Sequence, residues 1–309
     1  MSGLSIRHLL GLRGVPATDI RLILDTAKSF REILDRKVKK VPSLRGVTVV
    51  NLFFENSTRT RLSFELAEKR LSADSVNFSS GSSSLKKGES LLDTVWNIEA
   101  MKIDLAVVRA TGTGIPQFLV DNTDATIINA GDGANEHPTQ ALLDMFTIEQ
   151  ELGSLKGKRV LIVGDVRHSR VARSNAWGLK AMGADVTFCA PSTLMPRYPE
   201  GLGVHFEPDL QKAVEGQDVI MALRLQKERQ KNALLPSVRE YREFWGLTRD
   251  LLDQRAPDAV IMHPGPINRG VEMDSLVADG GRSVILEQVT SGVAVRMAVL
   301  YLLAGGESV

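Results

Sequence analysis

The chain has 309 residues, 43% of them hydrophobic and 24% charged, the composition of an ordinary folded protein with room for one large or two medium domains. A formal net charge of +1 gives no overall basic field, so neither nucleic acid nor an anionic membrane surface is an expected partner. The single cysteine, Cys189, excludes an intramolecular disulfide and a cysteine-rich metal site, and within its apolar run it reads as a small buried hydrophobe.

From the N-terminus onward, residues 1–8 lack the apolar core of a signal peptide, and no apolar stretch reads as long enough to span a bilayer; the expected location is cytoplasmic. Ile20, Ile23, Leu24, Ala27 and Leu34 fall on one face of an early helix. Strand-like runs then recur at 47–53, 75–78, 103–108 and 126–128, with helical patterns between them. The second half repeats the scheme at 159–163, 185–189, 218–222 and 259–262. Such alternation predicts an α/β fold of two domains, each a mainly parallel sheet flanked by helices. No sequence repeat relates the halves. A helix over 138–152, ended by Gly153 as a suitable C-cap, carries the domain junction, so the expected domains are 1–137 and 138–288. The last helix, from about residue 289 to 303, is apolar almost all round. It is expected to be buried by packing back on the first domain, to which 289–309 then belongs.

The densest chemical signal is Phe53-Phe54-Glu55-Asn56-Ser57-Thr58-Arg59-Thr60-Arg61. It follows a predicted strand and opens a predicted helix. Free backbone N–H groups and the helix dipole favour an anion there. Hydroxyls add donors, and guanidinium grips phosphate or carboxylate oxygens in bidentate fashion. The plain alternative is a helix cap by Ser57 or Thr58, but a cap does not call for Arg59 and Arg61 beside it. Further on, the serine-rich stretch 79–84 leads into Lys86-Lys87-Gly88-Glu89, a loop that either closes over an anion or is simply solvated. Arg109 directly follows an apolar run, at the carboxyl end of a predicted parallel strand, where open α/β sheets bind ligands; a surface charge is the alternative. The segment 129–140 also turns a strand into a helix. His137 and Gln140 lie three residues apart there, on one face of the first turn, and both can donate to a carbonyl or leaving-group oxygen. Metal binding would need a second ligand at helical spacing on that face, and none stands there; a structural cap remains open for His137.

In the second half, 160–170 forms another strand-to-helix turn, but one glycine in place of G-x-G-x-x-G argues against a dinucleotide. Arg167 and Arg170 suit a carboxylate instead. Arg224 and Gln226 alternate on one side of an extended segment, which reads equally as a charged surface loop. Pro264-Gly265-Pro266 fixes an unusual backbone path whose carbonyls can read N–H groups of a small substrate; His263 before it reads as structural.

In order and spacing, Ser57-Thr58-Arg59-Thr60-Arg61, Lys87-Gly88-Glu89, His137-Pro138-Thr139-Gln140, Arg224-Leu225-Gln226-Lys227-Glu228-Arg229 and His263-Pro264-Gly265-Pro266 resemble the catalytic chains of the aspartate carbamoyltransferase family over essentially the whole length. The first and third motifs are shared in similar form with ornithine carbamoyltransferases. Those enzymes typically carry Ser-Met-Gly and His-Cys-Leu-Pro segments in place of the last two, and this chain has neither. The resemblance implies transfer of the carbamoyl group of carbamoyl phosphate to the amine of L-aspartate, in pyrimidine biosynthesis, with no cofactor and no metal. It assigns the phosphate to Ser57, Thr58, Arg59 and Thr60, and the phosphate and carbamoyl ends to Arg109, His137 and Gln140. The backbone of Pro264, Gly265 and Pro266 would take the carbamoyl amide, and Arg170, Arg224 and Gln226 the aspartate, joined by Lys87. Arg59, Thr60, Lys87, Arg109 and His137 are the implied catalytic set.

The resemblance also implies a homotrimer in which the loop bearing Ser83 and Lys87 enters a neighbour's site. Family members occur as free trimers, with regulatory chains, or assembled with dihydroorotase, and the sequence does not choose among these. One departure stands out: many relatives have His-Pro after the strand-end arginine, where this chain has Ala110-Thr111.

Overall fold

The computed structural model describes residues 3–79, 89–225 and 234–306. These form two compact units, one of residues 1–146 with 290–309 and one of residues 147–289.

The first unit opens with α1 (Ala17–Leu34), whose buried face carries Ile20, Ile23, Leu24, Ala27 and Leu34. Strands β1 (Thr48–Phe53), β2 (Asp74–Ser79), β3 (Leu105–Ala110) and β4 (Thr126–Asp132) alternate with α2 (Thr58–Leu71), α3 (Leu91–Glu99) and α4 (Ile115–Val120). The sheet order is β2-β1-β3-β4, and every pairing is parallel. Strands covered on both faces read as continuous apolar runs, which is why Leu105-Ala106-Val107-Val108 is buried throughout. One face of the sheet packs Val50, Leu52, Ala106, Val108 and Ile127 against Val95 and Leu119 from α3 and α4. α5 (Pro138–Leu152) follows β4 and ends at Gly153, whose φ of +75° is a left-handed stop. The division between units falls within α5, between residues 146 and 147.

The second unit continues with β5 (Arg159–Val163), α6 (Arg170–Ala181), β6 (Asp185–Cys189), β7 (His205–Phe206), α7 (Leu210–Ala213), β8 (Val219–Ala222), α8 (Val238–Trp245), α9 (Arg249–Arg255), β9 (Val260–Met262) and α10 (Ser275–Ala278). Its sheet runs β7-β6-β5-β8-β9, again wholly parallel. Leu161, Val163, Ile220, Ala222 and Ile261 form its core with residues such as Leu210, Leu252, Met273 and Val277.

α11 (Ile285–Leu303) begins four residues earlier than the apolar pattern suggests and returns to the first unit from residue 290. Val295, Met297, Val299 and Leu300 are fully buried in it, and Tyr301 meets Phe30 of α1 edge to face at 5.6 Å. By length and composition alone this 19-residue helix is apolar enough to cross a membrane, which corrects the reading that no stretch is. Of the 18-residue apolar window within it, 67% lies buried inside the protein, the condition of a core helix.

Three elements differ from the sequence pattern in ways that matter for chemistry. α2 starts at Thr58, so Arg59, Thr60 and Arg61 lie within its first turn and not ahead of it. β3 runs to Ala110, which puts Arg109 inside the strand. β4 runs to Asp132, because polar Asn129 and Asp132 find partners inside the unit and need not leave it.

Candidate active site

In a doubly wound sheet the ligand crevice opens at the carboxyl ends of the strands, where the winding direction reverses. The order β2-β1-β3-β4 places that reversal between β1 and β3. After β1, Ser57 stands at the N-cap of α2 and Thr58, Arg59 and Thr60 in its first turn, and the neighbouring end of β3 carries Arg109. Phe53 stands in register with Arg109, and Phe54 N–H donates to Arg109 O at 2.8 Å.

Ser57 occupies the N-cap position of α2, but its side chain makes no cap bond, so the capping alternative does not hold for Ser57. No acidic residue occupies the first turn, which leaves the positive end of the helix dipole uncompensated by the helix's own side chains. Thr58 and Arg59 are exposed and Thr60 is buried. Arg109 is held from two sides: its Nη1 donates to Ala130 O at 2.9 Å, and its Nη2 pairs with Glu55 Oε1 at 2.8 Å, with both side chains mostly covered. Such fixing preorganises a donor and removes part of the entropy cost of engaging a ligand.

The third contribution to this edge is the turn from β4 to α5. Asp132 Oδ1 accepts from Asn129 Nδ2 at 3.1 Å and Glu136 N–H at 3.0 Å, and its Oδ2 from Asn135 Nδ2 at 3.2 Å and Gly114 N–H at 3.1 Å. Asn129 Nδ2 also donates to Leu10 O, and Glu136 Oε2 accepts from Leu12 N–H at 2.6 Å. Gly133 has a φ of +50°, and a Cβ there would stand 2.9 Å from Thr113 N, so the turn needs a glycine. This closed turn delivers His137 directly before α5, where its carbonyl accepts from Gln140 N–H at 3.0 Å. His137 is 4% exposed. Gln140, half-buried, donates from Nε2 to Asp144 Oδ1 at 2.9 Å.

In the second unit the reversal lies between β5 and β8. Gly164, after β5, has a φ of +129°, and a Cβ there would stand 2.9 Å from Leu223 O, so the two strand ends approach closely only because the residue is glycine. Ser169 caps α6 through Ala172 N–H at 3.1 Å, and Arg170, 5% exposed, is the first residue of that helix. Arg167 is exposed. Arg224 lies just beyond β8 and is half-buried. After β9, His263 Nδ1 accepts from Gly265 N–H at 2.7 Å, which leaves Nε2–H to donate to Glu272 Oε1 at 3.2 Å. Glu272 Oε1 also accepts from Asn268 N–H at 2.6 Å, and Gln288 Oε1 from His263 N–H at 3.0 Å. The segment 263–268, with a cis bond between Gly265 and Pro266, is thereby held, and Asn268 Nδ2 reaches Leu225 O at 3.4 Å beside Arg224.

Of the residues singled out in the sequence, Ser57, Thr58, Arg59, Thr60, Arg109, His137 and Gln140 share the sheet edge of the first unit. Arg170, Arg224, Gly265 and Pro266 share that of the second. Lys87 and Gln226, with Ser83, lie outside the described residues. Sequence reasoning passed over Glu55, Asp132 and Glu272. Glu55 and Asp132 sit within the same motifs, where polar residues beside a predicted site could have marked them.

Residues 7–150 match the family model of the aspartate/ornithine carbamoyltransferase carbamoyl-P binding domain, and residues 156–303 that of the Asp/Orn binding domain. The aspartate carbamoyltransferase catalytic subunit of Cytophaga hutchinsonii is 58% identical over 307 residues, which cover 99% of this chain and 100% of the relative. Among solved structures, the Trypanosoma cruzi aspartate transcarbamoylase in complex with carbamoyl phosphate and aspartate is 29% identical, with a TM-score of 0.87 over 95% of each chain. The ornithine carbamoyltransferase of Pyrococcus furiosus is 30% identical, also with a TM-score of 0.87, over 99% of this chain and 100% of that one. The chain belongs to the aspartate/ornithine carbamoyltransferase family, among the relatives named as aspartate carbamoyltransferase catalytic subunits.

Proposed function

We infer that this chain is an aspartate carbamoyltransferase, which transfers the carbamoyl group of carbamoyl phosphate to the amine of L-aspartate and releases N-carbamoyl-L-aspartate and phosphate, a step of pyrimidine biosynthesis. The similarity of folds does not choose between aspartate and ornithine, since structures of both kinds match equally well. The observation that carries the choice is the pair of arginines, Arg170 and Arg224, at the sheet reversal of the second unit. An acceptor with a second carboxylate suits them, whereas the cationic far end of ornithine would call for carboxylates. The naming of relatives at 55–58% identity agrees.

In this reading the N-terminus of α2, Ser57, Thr58, Arg59 and Thr60 hold the phosphate. The neutral aspartate amine attacks the carbamoyl carbon, forming the C–N bond and a tetrahedral oxyanion. Thr60, Arg109 and His137 donate to that oxygen, and loss of one such donor typically lowers the rate by about 10²–10³. The C–O bond to phosphate then breaks, the leaving charge is taken by Arg59 and the helix dipole, and the amine proton passes to phosphate. Gln140 and the backbone around Gly265 and Pro266 orient the carbamoyl amide. Arg170, Arg224 and Gln226 hold the aspartate carboxylates, with Lys87 beside them. Much of the acceleration comes from holding two anions together against their repulsion.

The reading includes a homotrimer whose sites are completed by Lys87 of a neighbour. Two features support association: β2 is an edge strand, and Leu62, Leu66 and Val76 expose 49%, 44% and 48% of their surface on α2 and β2. A cytoplasmic location goes with it, since both substrates are charged and do not cross a bilayer unaided. Colorimetric detection of ureido product from carbamoyl phosphate with aspartate, with ornithine and with no acceptor tests the reaction. Colour is expected with aspartate alone; product with ornithine, or none with either amine, would overturn the reading.

A further inference from the structure

Arg296 occupies a place on α11 where an apolar residue would be ordinary. Its neighbours Val295 and Met297 are fully buried, and Arg296 itself is 4% exposed. Its Nη1 donates to Ser63 Oγ at 2.8 Å and to Gly292 O at 3.1 Å, and its guanidinium carbon lies 5.1 Å from the centre of the Phe64 ring. Room for it is made by Gly292, where a Cβ would stand 2.6 Å from the guanidinium and 3.1 Å from Leu143. The opposing charge is Asp144 of α5, itself fully buried. Even with that carboxylate present, burial pushes the Arg296 guanidinium down to about 10. Arg296 Nε finds no acceptor.

The partners of Arg296 outside its own helix, Ser63 and Asp144, belong to helices that carry candidate ligands. Ser63 lies one turn beyond Thr60 on α2. Asp144 lies one turn beyond Gln140 on α5 and accepts from the Gln140 carboxamide at 2.9 Å. We propose that Arg296 is a positioning residue for carbamoyl phosphate: through Ser63 and Asp144 it fixes the phosphate-binding turn of α2 relative to Gln140. This rests on the reading of Ser57, Thr58, Arg59, Thr60 and Gln140 as carbamoyl phosphate ligands.

Stability alone does not account for the arrangement. A buried ion pair is often matched or bettered by apolar residues of similar volume, and a buried donor without an acceptor is a net cost. Position is a different matter, because a ligand group displaced by an ångström can lower turnover about 10²-fold.

The test is the double variant Arg296→Met with Asp144→Leu, which fills the same space without charge. Its thermal midpoint should stay within a few degrees of wild type. The Kd for inorganic phosphate, read by calorimetry, and the KM for carbamoyl phosphate should each rise about tenfold or more, while the KM for aspartate at saturating carbamoyl phosphate moves much less. Arg296→Lys should recover part of the loss seen in Arg296→Met. A folded double variant with phosphate Kd and carbamoyl phosphate KM within twofold of wild type overturns the proposal. If the double variant does not fold, the same two constants are measured on Ser63→Ala and Arg296→Lys, where a rise supports the proposal and values within twofold of wild type overturn it. Wild-type protein that binds phosphate yet turns over no aspartate would sink the functional reading. The phosphate Kd of the variants would still decide whether Arg296 orders the anion site.

Discussion

Asp132 shows how a single buried carboxylate holds the turn that carries a candidate side chain, His137. Both of its oxygens accept two hydrogen bonds, from Asn129, Glu136, Asn135 and Gly114, and it is 2% exposed. Asp132→Asn turns one accepting oxygen into a donor that faces existing donors. The expected result is a loss of about 1–3 kcal/mol of stability, with a kcat reduced well beyond any change in KM because His137 is no longer held in place. Urea unfolding and steady-state kinetics check both; wild-type values in both would mean that the turn is held by its backbone alone. Candidate residues such as Arg59, His137 and Arg224 stood out in the sequence from their position after strands, and Arg109 from its place at the end of an apolar run that the structure extends into β3. Glu55 and Asp132 lie inside the same motifs, yet part of what holds them is distant in sequence and not encoded locally: Glu55 meets Arg109, and Asp132 meets Gly114 besides its local partners. Ser57 was open between cap and ligand, and the observed lack of a cap bond removes the first of these.

At the scale of the element, α2 presents one face to candidate ligands and another to the sheet. Glu68 lies on the inner face, fully buried, accepting from Asn51 Nδ2 of β1 at 3.0 Å and from Ser75 Oγ of β2. Burial raises its pKa from 4.5 to about 7; the Ser75 and Asn51 bonds oppose that shift, Glu65 adds to it and Lys69 opposes it. The folded value lies above the unfolded one, so Glu68 favours folding fully below about pH 4.5, and that contribution is lost as pH rises through about 7. The span corresponds to about 3 kcal/mol as an upper figure. Glu68→Gln should therefore be more stable than wild type at pH 8 and should gain little or nothing at pH 4.5. Urea midpoints for both proteins across that range read the difference directly; parallel curves would count against a protonated Glu68. The helices and strands themselves were legible from apolar period and alternation, but their ends were not. Arg109 in β3 and Asn129 in β4 look like strand terminators until their buried partners are seen. β7 is two exposed residues, His205 and Phe206, with no period to read.

For the whole molecule, alternation of strands and helices implied parallel sheets but not strand order. The two reversals, between β1 and β3 and between β5 and β8, come only from the observed pairing. They explain why the motifs fall where they do, since each follows a strand that borders a reversal or lies one strand away from it. The proposed trimer adds a condition that no single chain can meet: a site with Arg59 from one copy and Lys87 from the next. Arg59→Ala and Lys87→Ala trimers should each be nearly inactive. If equal amounts are unfolded, mixed and refolded, a site is whole wherever an intact Arg59 meets a neighbour's intact Lys87. Random assembly around a cyclic interface makes about a quarter of sites whole, so roughly that share of wild-type activity should return. Were both residues to serve the site of their own chain, every site in the mixture would carry one lesion and no activity would return. Mass measurement of the refolded trimers establishes that mixing took place, and activity no greater than the sum of the parents would then rule out the shared site.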